Sequence, residues 1–281
     1  MENIMEESKE LSIIIVNYKN YELTIKCINS VIHSLNEIDY EIIVIDNDSP
    51  NESFEEIKDS FIQNEKVRAI KNEKNSGFGS ANNLGVTLSK GKYVLFLNPD
   101  IIVLKNAINK MMNLLKQDKE IGLLSGKLLN DDYTIQYSCR RILPLIDFLI
   151  CRTPLSKFIS KKKKSEINSI YLMKDYNHNE IREVDWVMGA CMLMERSFFE
   201  NIGGFSEEYF MYFEDVDLCY KVKVNSKKVI YFPEAEMIHL HNQESTKKIN
   251  KMTLIHLQSM FKFYYKYSFR KGKFKKYYQI Y

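Results

Sequence analysis

Asn98-Pro99-Asp100 follows directly on the apolar run 93–97, so a buried strand ends in a carboxylate. A hard oxygen there stands at the carboxyl edge of a sheet, where open α/β sheets bind their ligands. A divalent cation held by it would neutralise a diphosphate with few protein ligands, because the substrate supplies further oxygens. Asn, Pro and Asp are also turn formers, and the tripeptide alone fits a plain β-turn equally well. Asp46 ends the run 41–45 in the same manner. A carboxylate at that point can accept a hydrogen bond from the imide N–H of uracil or thymine. Its structural alternative is an Asx-turn or a helix N-cap made by Asp46, Asp48 or Ser49.

Three further groups carry candidate chemistry. Glu214-Asp215-Val216-Asp217 follows the aromatic cluster 209–213. Acids at a helix start are favoured by the macrodipole, yet a carboxylate among aromatics also gains the basicity a general base needs. Helical spacing prevents Asp215 and Asp217 from facing the same way. His239 and His241 alternate on a strand pattern and therefore point to one face. A histidine with Asp100 and diphosphate oxygens would make a Mn²⁺ or Mg²⁺ site; a packing or surface histidine is the plainer reading. The stretch 75–85, with Gly77 and Gly79, reads as a tight loop before a helix that brings backbone N–H groups near phosphates. It lacks the third glycine of a dinucleotide fingerprint and the Gly-Lys-Ser/Thr of a P-loop.

The elements that must position these residues alternate between strand and helix. Short β-branched or apolar runs at 11–16, 41–46, 67–70 and 92–97 are separated by helical patterns, the first marked by Leu23, Cys27, Ile28, Val31 and Ile32. This βαβα rhythm argues for an α/β fold with a mostly parallel central sheet flanked by helices. From 121 to 141 the pattern is strand-like, and 142–180 reads as an irregular insertion or lid. Residues 184–195 look like a strand broken at Gly189, and 229–232 and 236–241 resume strand character.

Whole-chain properties narrow the setting. At 281 residues and with 45% hydrophobic content, the chain suits one large domain with an appendage. It shows no signal-peptide pattern and no spanning apolar run, and its five cysteines form no CxxC pair. Reduced thiols in a cytoplasmic protein follow as the expectation. Charge is uneven: ten of the 40 basic residues lie beyond Ser245 and none of the 37 acids does. Interleaved aromatics make that tail, 246–281, a basic amphipathic helical extension. Attachment to an anionic membrane surface is the favoured reading, a helix packed on the body by its aromatic face the alternative. No nucleic-acid motif accompanies the charge, so nucleic acid is not expected as a partner.

In order, the segments 12–18, 44–47, 75–78, 97–100, 185–190, 203–205 and 212–218 resemble an inverting glycosyltransferase of family 2 with the GT-A fold, in its rhamnosyltransferase-like branch. The resemblance spans about 11–245 and implies a glycosyltransferase domain over 1–245. Its nucleotide-sugar half would be 10–105 and its acceptor half 106–245, with the insertion at 142–180. It implies donor contacts from Asn17, Asp46, Asn75, Gly77, Phe78, Asn98 and Asp100, with Asn98 standing where the family's DXD motif has its first Asp. Asp100 becomes the metal ligand, with His239 completing the site and His241 in reserve. Asp215 falls on the catalytic base, and Trp186, Gly189 and Glu214 on acceptor contacts.

The implied reaction moves rhamnose or another hexose from a dTDP- or UDP-linked donor, with Mn²⁺ or Mg²⁺. The implied acceptor is a saccharide on a polyprenyl diphosphate, in cell-surface polysaccharide assembly, with the basic tail resting on the inner membrane leaflet. Two rivals remain at this stage. A sugar-phosphate nucleotidyltransferase would want a glycine- and arginine-rich loop after the first strand, where Asn17-Tyr18-Lys19-Asn20 stands. An inactive transferase-fold scaffold would not need both Asp100 and Asp215.

Overall fold

The computed structural model describes residues 8–152, 159–240 and 251–270. Its first part is the expected alternation: β1 (Lys9–Asn17), α1 (Tyr21–Ser34), β2 (Tyr40–Asp46), α2 (Ser53–Ser60), β3 (Val67–Lys71), α3 (Phe78–Thr87) and β4 (Gly91–Leu97). The four strands pair in parallel in the order β3-β2-β1-β4. Parallel strands covered by helices on both faces are buried throughout, which is why β1 and β2 read as continuous β-branched runs rather than alternating ones. Pleat parity divides the core: Ile14, Ile43, Val94 and Phe96 pack on one face with α3, while Ile13, Ile42, Val44 and Leu95 pack on the other against α1.

The chain continues through β5 (Ile101–Val103), α4 (Ala107–Gln117), β6 (Ile121–Leu129), β7 (Ile135–Gln136), β8 (Cys139–Arg140), α5 (Leu145–Arg152) and α6 (Lys161–Tyr171). It then forms β9 (Arg182–Glu183), β10 (Trp186–Val187), β11 (Cys191–Glu195), α7 (Arg196–Asn201), α8 (Glu214–Val224), β12 (Lys228–His239) and α9 (Lys251–Tyr264). The sheet extends past β4 as β11-β6-β12-β5. β11 runs antiparallel to both β4 and β6, and β12 returns parallel to β6. This antiparallel insertion places Cys191 opposite Leu97, so the residues before β11 lie beside the residues after β4.

Several expectations are refined. The strand pattern over 184–195 is two strands, β10 and β11, separated at Gly189. The two patterns at 229–232 and 236–241 form one strand, β12, with a register shift between Phe232 and Glu236. Pro233 there has no N–H to give a ladder, which a bulge accommodates. Facing the bulge, a Cβ at Gly126 would meet Ala235 O at 2.6 Å. The region 142–180 is more regular than expected. It contains two helices, the second capped by Ser160 Oγ, which accepts from Lys163 N at 3.1 Å.

The described part of the basic tail packs on the body. Met260 and Phe263 of α9 are fully buried, and Tyr264 and Tyr267 nearly so, while Phe261 and Tyr265 face outward. Lys266 Nζ and Tyr267 Oη both donate to Asp217 Oδ1, at 2.9 and 2.8 Å. A fully buried carboxylate needs such partners, and the tail supplies them. Lys271, Lys273, Lys275, Lys276 and His241 lie outside the described residues. Among the described residues no helix is long and apolar enough to cross a membrane.

Candidate active site

Asp100 lies in a turn whose Ile101 N–H donates to Asn98 O at 3.3 Å, so the tripeptide is a β-turn and also aims its carboxylate. β5 then pairs Ile101 opposite His239, and Leu240 N–H donates to Asp100 O at 2.9 Å. These bonds set Asp100 Oδ1 3.3 Å from His239 Nε2. On the other side of the ring, Gln136 Oε1 accepts from Nδ1 at 2.6 Å. That bond places a proton on Nδ1 and turns Nε2 toward Asp100, an arrangement that suits a metal-binding histidine. Adjacent ligands of an octahedral ion at roughly 2.1 Å are about 3 Å apart, so the pair fits a divalent cation. Among the described residues no group of three or more His, Cys, Asp or Glu could hold a metal. A cation held by the pair would take its remaining positions from substrate oxygens and water.

A second polar cluster sits at the ends of β1 and β2, where Asn17 and Asp46 stand opposite each other. Both are buried. Asp46 accepts from Asn17 Nδ2 at 2.7 Å, from Ser49 N at 2.9 Å and from Ser49 Oγ at 2.7 Å. The Ser49 N–H bond reaches three residues along the chain, a local cap-like turn rather than an Asx-turn; with about four acceptor positions on a carboxylate, one stays open among the described residues. Next to it Asn47 is the hub of the loop 72–77. Its Oδ1 accepts from Asn72 Nδ2 at 2.9 Å and Ser76 N at 3.2 Å, and its Nδ2 donates to Asn75 Oδ1 at 3.0 Å.

The loop 75–78 leads to the third cluster. Gly77 has φ +86°, and a Cβ on it would lie 2.1 Å from Phe210 O. Only glycine permits that approach, and Phe78 N–H donates to the same carbonyl at 3.2 Å. Tyr212 and Phe213, with φ +66° and +69°, hold two bulky side chains in the left-handed region just before α8. Such strain persists only where packing over-determines it; here Phe213 packs against Phe148 and Phe263 at ring separations of 5.7 and 5.6 Å. The result delivers Asp215 to a cavity of about 230 Å³.

Asp215 Oδ2 accepts from Gly189 N at 3.1 Å and Oδ1 from Val216 N at 2.8 Å. The next carbonyl, Ala190 O, accepts from Asn98 N at 2.9 Å. Two consecutive residues, Gly189 and Ala190, thus join the Asp215 helix to the Asp100 turn. Burial pushes the Asp215 carboxyl above the usual range, with the Gly189 and Val216 amides and Arg140 pulling partly back. Burial and then the neighbouring Asp215 push Glu214 well above its ordinary value. Both carboxyls are pushed up, Glu214 further than Asp215, so their surroundings set the pair apart.

Trp186 lines the cavity, and Gly189 packs between the Phe78 ring and Asp215, a Cβ on it lying 3.3 Å and 3.5 Å from them. Glu214 does not line it; its carboxyl turns inward, and Oε2 is buried with no hydrogen-bond partner among the described residues. Asp217 faces the opposite side of α8, as helical spacing requires. Sequence reasoning missed Arg140, Tyr171, Tyr212, His256 and Tyr264, which wall the cavity, and Gln136, which orients His239. A twin arginine ending a strand-like segment was the available signal for Arg140; Gln136 offered none.

Residues 12–203 match the family model described as Glycosyl transferase family 2. Rhamnosyltransferase WbbL of Escherichia coli (strain K12) is 30% identical over 196 residues, 66% of this chain and 69% of that protein. The N-acetylglucosaminyl-diphospho-decaprenol L-rhamnosyltransferase of Mycobacterium tuberculosis (strain CDC 1551 / Oshkosh) is 30% identical over 154 residues, 55% of this chain and 48% of that enzyme. The crystal structure of GalNAc-T7 with UDP, GalNAc and Mn²⁺ superposes with a TM-score of 0.65 at 19% identity, covering 90% of this chain and 48% of that one. The family match spans Asp46, Asp100 and Gly189. The chain belongs to glycosyltransferase family 2 and has the GT-A fold.

Proposed function

We propose that this chain is an inverting, metal-dependent hexosyltransferase. It moves rhamnose or another hexose from a dTDP- or UDP-linked donor to a saccharide carried on a polyprenyl diphosphate. The observation that carries the reading is the bridge Gly189-Ala190, which hydrogen-bonds Asp215 on one side and the Asp100 turn on the other. A buried carboxylate of raised basicity and a cation corner then share one sheet edge. Similar proteins give the chemistry: WbbL is a rhamnosyltransferase, the mycobacterial relative is named for a diphospho-decaprenol acceptor, and GalNAc-T7 was crystallised with UDP and Mn²⁺.

Asp100 Oδ1 and His239 Nε2 would hold Mn²⁺ or Mg²⁺, which when bound stabilises charge on a departing diphosphate. Asn17 and Asp46 shape the nucleoside end, Asp46 with its open acceptor position for an imide N–H. Asn75, Gly77 and Phe78 line the ribose side, and Asn98 reaches the donor from the turn. On the acceptor side, Trp186 offers its ring to a sugar face and Gly189 leaves room beside the base. Glu214 supports the base from behind, its own carboxyl pushed further up than that of Asp215. Asp215 takes the proton of an acceptor hydroxyl as its oxygen attacks the anomeric carbon opposite the diphosphate. One displacement inverts configuration. The basic residues beyond Arg270 would bring the enzyme to the anionic inner leaflet, where such an acceptor resides.

Thermal shift with a panel of uridine, thymidine and guanosine diphosphates, with and without Mn²⁺, tests the reading. Stabilisation by a pyrimidine diphosphate that needs the cation is expected. Equal stabilisation without a cation, or none by any nucleotide, would overturn it.

A further inference from the structure

Arg140 and Arg141 are neighbours in sequence and opposite in circumstance. Arg141 is neutralised by Asp175, its Nη1 and Nη2 donating to the two carboxylate oxygens at 3.1 and 3.0 Å. Arg140 donates only to neutral acceptors: Tyr171 Oη at 3.0 Å, Tyr137 O at 3.3 Å and Met188 Sδ at 3.4 Å. Its Nε is buried with no hydrogen-bond partner among the described residues. The guanidinium stands over the rings of Tyr171 and Trp186, 5.1 and 5.3 Å from their centroids. β8 pairs Arg140 directly opposite Trp186, which keeps the two side by side.

This cation forms part of the wall of the cavity that contains Asp215. Asp215 is the one carboxylate on that wall, and two backbone amides already hold its oxygens. Among the described residues its Nε is buried without a partner and its other N–H groups meet only neutral acceptors, and forked N–H donors of this kind suit a phosphate or carboxylate. Resting on the transferase reading of Asp215, we infer that Arg140 recognises an anionic group on the acceptor, a phosphate or a carboxylate, while the aromatic walls hold the adjoining apolar surface. An anion seated on Arg140 also removes that cation's pull on Asp215, so the base becomes more basic when the acceptor is in place.

The chain's single tryptophan, Trp186, lies in the cavity and reports occupancy by its fluorescence. Titrations in EDTA, which keeps a cation-dependent donor site out of play, would use geranyl diphosphate, geraniol, methyl glucuronide and methyl glucoside. We expect at least one anionic probe to shift the emission saturably, at least tenfold more tightly than its neutral counterpart. Arg140→Met and Arg140→Gln, which keep the stem on the two rings, should weaken it at least tenfold. Binding of geranyl diphosphate identifies a lipid-linked diphosphate as the source, and binding of methyl glucuronide a uronate on the sugar. Equal affinity for charged and neutral probes, unchanged affinity in the folded variants, or no shift by any probe would overturn the inference. The wild-type comparison decides alone if both variants fail to fold. The nucleotide panel on the wild-type protein tests the transferase reading separately.

Discussion

The Asp215 carboxyl, the base of the proposed reaction, lies under opposing influences. Burial raises its proton affinity, and two amide N–H groups and Arg140 keep it from rising as far as Glu214. A base works only when deprotonated, so activity should fall as the pH drops through a value above the ordinary aspartate range near 3.9. The acid limb of kcat/KM against pH reads that value directly. A limb within the ordinary range would mean that a different group takes the proton. Asp215→Asn should lower kcat by about 10²–10⁴-fold while nucleotide affinity changes less than twofold. Loss of both together would assign the side chain to folding. The turn carboxylate of Asp100 and the run 212–218 were legible in the sequence because a strand end and an acidic helix start are local signals. Gln136 and Arg140 were not, since each matters only through a partner distant in the chain, His239 or Trp186.

Among elements, α8 is the one that serves two masters. Its first turn turns Asp215 into the cavity and Asp217 to the other side, where Ser206, Tyr267, Lys221 and Lys266 meet it. Burial alone would raise the Asp217 carboxyl, but Lys221 and Lys266 more than offset it and leave it below its usual value. A carboxyl depressed in the folded state stabilises at pH above the unfolded value, and that contribution is lost as the pH falls through the folded one. Lys266→Met should therefore cost about 1–3 kcal/mol near pH 7 in urea unfolding. The difference from wild type should shrink as the pH drops below that of a free carboxylate. A constant difference at every pH would show that packing of the stem, not charge, is what the lysine provides. The strands were readable from their apolar runs, whereas docking of α9 was not. A helix of alternating lysines and aromatics looks the same whether its apolar side meets protein or lipid, and only the buried Asp217 decides for the part described.

At the scale of the molecule, the uneven charge matters most. Residues 1–245 hold 30 basic residues against 37 acids, and the remainder holds ten basic residues and no acid. Such a charge distribution would orient the molecule at an anionic surface through screened attraction, with a range of about 10 Å at 0.1 M salt. Sedimentation with vesicles rich in phosphatidylglycerol should carry the protein down at low salt and release it at 0.5 M. Retention on neutral phosphatidylcholine vesicles to the same degree would refute a role for charge.

The reversed strand β11 has a consequence of its own. Because it lies between the parallel block and the strands β6, β12 and β5, the polypeptide is stitched together along a seam beside the Asp100 turn. Grafting the span from β8 through α9, which carries Arg140, Trp186 and α8, from a cousin with another taste in recipients should transplant the taste and leave the leaving nucleotide unchanged. Such a hybrid would inherit both sides of α8 at once, base and anchor, in working alignment.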